Sequence, residues 1–127
     1  MSDHNPFLSP QTRRLLNYAR DTYHARPEFL WQRLPYTAVL RRPDTDKWVA
    51  VVFRLSGRKL GLLSYKLIEF VDLRSPPELI THTLATAGYY PGYHMNKRYW
   101  YTIILDNSVS DSELWARFDI SYDLATK

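Results

Sequence analysis

The 127-residue chain has no cysteine, which excludes disulfides, thiolate zinc ligation, iron–sulfur clusters and a cysteine nucleophile together. It has only four glycines, Gly57, Gly61, Gly88 and Gly92. None falls in a phosphate-cradling loop, a dinucleotide fingerprint or a Gly-x-Ser-x-Gly elbow. Its longest apolar run, residues 48–53, is far below the ~20 residues that span a bilayer. The first six residues show neither a basic nor an apolar leader segment, so a cytoplasmic location is expected. The four histidines (His4, His24, His82, His94) lack metal-ligand spacing. Glu69 and Asp72, three apart on a predicted strand, point to opposite faces and cannot act as an acid–base pair there. No metal, no cofactor and no enzymatic activity are expected.

What is present suits one folded domain over residues 1–127. Hydrophobic residues make up 45% and aromatics 15% of the chain, enough apolar surface to offset chain entropy at this length. Residues 1–8 read as a loosely held tail. Ser9-Pro10 opens a helix, expected over residues 10–25, in which Leu15, Ala19 and Tyr23 recur at helical spacing until Pro27 stops it. Residues 28–34 read as one helical turn or a packed connector. Residues 36–42 and 48–55 form a β-hairpin around a turn at 43–46, with Val49, Val51, Phe53 and Leu55 on the expected core face. Residues 67–73 make a third strand. Ser75-Pro76-Pro77-Glu78 reads as a capping box for a helix with a stripe of Leu79, Ile80, Leu84 and Ala87, closed by Gly88. Residues 89–94 and 99–105 give two more strands, and Ser110-x-x-Glu113 opens a last helix with Leu114, Phe118, Tyr122 and Ala125 on one side. The order α-β-β-β-α-β-β-α implies an α+β two-layer sandwich, an antiparallel sheet with helices on one face.

Charge is uneven along the chain. Residues 106–127 carry five carboxylates against Arg117 and Lys127, a net −3, so the overall +4 leaves +7 on residues 1–105. Such a surplus favours an anionic partner, with nucleic acid the first candidate, although it also serves solubility. The segment YYPGYHMNKRYWY at 89–101 interleaves rings, an amide and cations. Lys97 and Arg98 could neutralise phosphates, Asn96 could donate to phosphate or base, and Tyr93 could stack on an unpaired base. The same residues also suit a solubilised hairpin whose strand alternates between core and surface. Arg41, Arg42 and Lys47 flank the 43–46 tip, and Arg58 and Lys59 lie in the next connection near Lys66. Each is a candidate phosphate contact, though Asp44 and Asp46 weaken the first group.

Tyr93-His94-Met95-Asn96-Lys97-Arg98-x-Trp100-x-Thr102-Ile103, then Leu105-Asp106, Ser108-Val109-x-Asp111-x-Glu113-Leu114 and Ser121-Tyr122-x-Leu124, resemble the MmcQ/YjbR family. The likeness extends upstream through Lys47-Trp48, Lys59-Leu60-Gly61-Leu62 and residues 71–80. It departs from the family where Asp72-Leu73-Arg74-Ser75-Pro76-Pro77 replaces Asn-Leu-Lys-Cys-Asp-Pro, where Tyr99 replaces histidine, and where Asp106-Asn107 replaces Asp-Gly. The resemblance implies a fold like that of secretion chaperones and frataxin-like proteins, with a double-wing DNA-binding motif and no known catalytic activity. A monomer or weak dimer contacting DNA through Arg41, Arg42, Lys47, Arg58, Lys59, Tyr93, Asn96, Lys97 and Arg98 is therefore expected. The alternative is a protein-interaction module using exposed Tyr93 and Trp100 as an aromatic anchor.

Overall fold

A computed structural model describes residues 5–126. The elements are α1 (Pro10–Tyr23), β1 (Thr37–Arg41), β2 (Trp48–Ser56), β3 (Leu67–Arg74), α2 (Ile80–Leu84), β4 (Tyr89–Pro91), β5 (Trp100–Ile104) and α3 (Asp111–Leu124). Short 3₁₀ turns at Gly57–Leu60 and Pro77–Leu79 follow β2 and precede α2. The five strands form one antiparallel sheet in the order β1-β2-β3-β5-β4. This is the expected α+β sandwich.

The first helix starts where its capping residues direct. Ser9 accepts from the Thr12 N–H, and Pro10 takes the first helical position. The buried carboxylate of Glu69 on β3 accepts from the Leu8 and Ser9 N–H groups at 2.7 and 3.1 Å, placing negative charge at the positive end of the helix. Phe7 is fully buried in the main core. The loosely held tail expected over residues 1–8 is thus docked by residue 7, because one aromatic ring buried there offsets the cost of ordering the chain. Residues 1–4 lie outside the described part.

The main core lies between the sheet and the helices. Ala50, Val52, Val71 and Leu73 meet Leu15, Leu16, Leu114 and Phe118 there. Val51 and Phe53 point the other way and form a second cluster with Val39, Phe70 and Ile104. The expected core face of β2 is therefore corrected: both faces are buried, so the strand sequence does not alternate in polarity. Helices cover one face only. Leu60 and Leu62 from the 57–66 loop, with Tyr93 and Met95 from the 92–99 loop, cover the other.

The capping box at Ser75 does not form. The Ser75 hydroxyl donates to the Pro76 carbonyl, and Pro76 stays extended (φ −56°, ψ 135°). Pro77 imposes that conformation on the residue before it, so the chain enters a 3₁₀ turn and then a five-residue helix. Ile80 and Thr83 are its buried residues, while Leu79 and Ala87 are exposed. Residues 28–34 are a connector: Glu28 makes an isolated bridge to Val39, and Trp31 packs edge-on against Trp48.

Ser121 ties α3 to the sheet. Its hydroxyl donates to the Val49 carbonyl at 2.6 Å and accepts from the Arg74 N–H at 2.9 Å. Replacing Ser121 with alanine orphans both groups and is expected to cost about 1–3 kcal/mol in urea unfolding; an unchanged midpoint would show that water replaces the hydroxyl.

Candidate functional site

On the helix-free face the 92–99 loop leaves the sheet at Pro91, folds back over it and returns at Trp100. Gly92 permits the turn, because a Cβ there would lie 2.8 Å from the Trp100 Cβ and 2.9 Å from its carbonyl. The Tyr93 N–H donates to the Thr102 hydroxyl on β5 at 3.1 Å. The Tyr93 ring packs edge-on against both Phe53 and Phe70, with centroids 5.1 and 5.5 Å away. His94 then adopts a left-handed backbone (φ 57°). Lys97 turns its ammonium back to the Gly92 carbonyl at 3.0 Å. Asn96 accepts from the Arg98 N–H at 2.9 Å, which makes its side-chain oxygen a turn brace and leaves its amide N–H groups for other partners.

From the opposite end of the sheet comes the 57–66 loop, anchored by Leu60 and Leu62. The two loops meet around a cavity of about 290 Å³ that includes Lys59, Tyr90, Tyr93, His94 and Lys97 in its lining. Together they carry Arg58, Lys59, Lys66, Lys97 and Arg98 and no carboxylate. Arg58 lies over the Tyr65 ring at 4.8 Å, while Lys59 and Arg98 are exposed.

The third cationic group stands elsewhere. Arg41 pairs with Glu28 at 3.2 Å, and Arg42 pairs with Asp44 at 2.7 Å. Arg42 also donates to the Tyr122 carbonyl and lies over the Tyr122 ring. Lys47 is exposed beside them. This tip joins β1 to the start of β2, whereas the 57–66 loop leaves the end of β2, about 26 Å away at the usual strand rise. The expected flank of nine residues is thus corrected to two groups: the tip, which Arg42 and Thr45 tie to the end of α3, and the two loops that cover the helix-free face. At the tip, two arginines are already engaged by carboxylates or α3. The other group comprises Arg58, Lys59, Tyr93, Asn96, Lys97 and Arg98. The aromatic anchor of the alternative reading is corrected as well: Trp100 is only 6% exposed and lies under the Arg74 guanidinium, and Tyr93 is wedged against Phe53 and Phe70.

Beneath the fold-back lies a carboxyl group that the sequence pattern did not single out as functional. Asp72 is fully buried, accepts from the Thr102 hydroxyl at 2.5 Å and leaves its second oxygen without a partner. Burial pushes its pKa up to about 7, against the opposing pull of the Thr102 hydroxyl, the Tyr93 N–H and the Lys97 charge. Its only sequence signal is a carboxylate inside the apolar strand 70–73.

No family model matches the chain. It is 32% identical to a Pseudomonas syringae protein of known crystal structure, over 89% of this chain and 97% of that one, with a TM-score of 0.86. The chain belongs to that protein's family. A solution structure of the Pseudomonas protein agrees, with a TM-score of 0.80. YyaQ of Bacillus subtilis, an uncharacterized protein, is 27% identical over 110 residues, which is 87% of this chain and 93% of YyaQ. A Deinococcus radiodurans protein carrying the domain DUF419 is 21% identical with a TM-score of 0.69, a likeness of fold alone.

Because the folded-state pKa of Asp72 lies above that of an unfolded aspartate, its ionisation opposes folding. The carboxyl costs almost nothing below about pH 4, and stability falls as pH rises from there to about 7 and is level above it. Asp72→Asn is therefore expected to match the native chain near pH 4 and to exceed it at pH 8 by on the order of 3 kcal/mol. Paired urea titrations across this range check it; a difference independent of pH contradicts it.

Proposed function

We propose that this protein binds DNA through its phosphate backbone, as a member of the MmcQ/YjbR family with the two loops of its helix-free face acting as wings. One observation carries the reading. Loops 57–66 and 92–99 close over one face of the sheet with five cations and no carboxylate. The carboxylates of α3 (Asp111, Glu113, Asp119, Asp123) belong to the layer on the opposite face. Loops that carry cations and no carboxylate of their own attract a polyanion to this face.

Lys59, Lys97, Arg98 and Arg58 contact phosphates, and Tyr65, 77% exposed, offers a ring beside Arg58. Contacts of this kind position the nucleic acid without selecting sequence. The protein acts in the cytoplasm as a monomer or weak dimer. A protein-interaction role would draw instead on the exposed apolar residues of the connector, Phe29, Leu30, Trp31, Leu34 and Tyr36.

Neutralising four phosphates gives a log–log salt dependence with a slope of about −3.6. Lys59→Ala with Arg98→Ala is expected to flatten that slope by about two units across unrelated duplex sequences, while Arg42→Ala leaves it unchanged. Fluorescence anisotropy between 50 and 200 mM salt measures both. Salt-independent binding, or a double variant that binds like the native chain, overturns the proposal.

A further inference from the structure

The two loops do more than present charge, because they enclose a cleft. One lip is the 3₁₀ turn that follows β2 and carries Lys59; the other is the fold-back that carries His94 and Lys97. Between them lie Tyr90, Pro91 and Tyr93. The two ammonium groups come from segments almost forty residues apart, and among the described residues no carboxylate lines the space. The carboxyl of Asp72 lies under the fold-back and outside the lining.

Lys97 spends N–H donors on the Gly92 and Met95 carbonyls at 3.0 and 3.5 Å, which leaves one of its three for a ligand. Lys59 has no side-chain partner among the described residues. Two such point charges in a cleft that also holds the rings of Tyr90, Tyr93 and His94 call for a ligand with a compact anion at one end and a flat body at the other. At about 290 Å³ the space lies at the small end of ligand pockets, too small for a base pair with its backbone.

We propose that this cleft binds one unpaired nucleotide, its phosphate between Lys59 and Lys97 and its base against Tyr90, Tyr93 and His94. The inference deepens the DNA reading and rests on it: it adds a preference for single strands, or for strand ends, over continuous duplex. Stacking of the base makes the cleft bind a nucleotide more tightly than bare phosphate by roughly tenfold in affinity.

The test is a nuclear magnetic resonance titration of the full ¹⁵N-labelled chain at low salt with four probes: thymidine 5′-monophosphate, inorganic phosphate, an oligothymidine strand and a blunt duplex. Thymidine monophosphate is expected to shift the amides of residues 59–61 and 92–97 saturably and about tenfold more tightly than phosphate. The oligothymidine strand is expected to shift the same amides and to outcompete the duplex. Lys59→Ala, at an exposed position, should lose most of the mononucleotide affinity, and His94→Asn, which keeps a residue tolerant of the left-handed backbone, should lose the base-dependent part. Shifts by phosphate equal to those by the nucleotide overturn the proposal. So does duplex binding without a mononucleotide response, which leaves the wing reading intact. Mononucleotide binding with no response to either DNA keeps the cleft as a free-nucleotide site and removes the DNA reading.

Discussion

The fold-back of the 92–99 loop depends on a single junction. The Tyr93 N–H rests on the Thr102 hydroxyl, which in turn donates to Asp72, while the Tyr93 ring fills the space over Phe53 and Phe70. That ring shares with Met95, Leu60 and Leu62 the cover of the apolar cluster of Val39, Val51, Phe53 and Phe70. Burial of the ring and satisfaction of the hydroxyl act in the same direction. Together they set the position of His94 and Lys97, and so the existence of a cleft opposite Lys59.

The same junction carries a cost. A carboxyl group with one unpartnered oxygen is held in an apolar strand, and burial resists its ionisation. Lys97 offsets part of that cost through its charge, which couples a cation of the loop to the buried carboxyl beneath it. A structural core would be simpler with an amide at this position.

The sequence made α1 and α3 legible because their caps are local: Ser9-Pro10 and Ser110 satisfy N–H groups within one turn. The hairpin was legible for the same reason, from the turn residues at 43–46. The orientation of β2 was not, since Val49-Ala50-Val51-Val52-Phe53 is apolar on both sides and alternation has nothing to report. The start at Ser75 misled because a cap and a proline were read separately, whereas the second proline forbids the first from being helical. Among the site residues, Lys59, Lys97 and Arg98 were legible as cations in loops. The pairing of Arg42 with Asp44 was legible as a local carboxylate, whereas the contacts of Arg41 with Glu28 and of Arg42 with Tyr122 were not, because those partners come from other elements. The cleft was equally hidden, being made by two loops that leave opposite ends of the sheet and meet only because both fold over the same face.

The central claim is that ligand charge is met on one face alone, by the two loops that cover the sheet opposite the helices. Hydrogen–deuterium exchange with and without a short DNA duplex, at low and at high salt, tests it most directly. The account predicts slowed exchange confined to residues 57–66 and 92–99, lost at high salt, with α1 and α3 unchanged. Protection centred on α3, or on the tip holding Arg41 and Arg42, would contradict it.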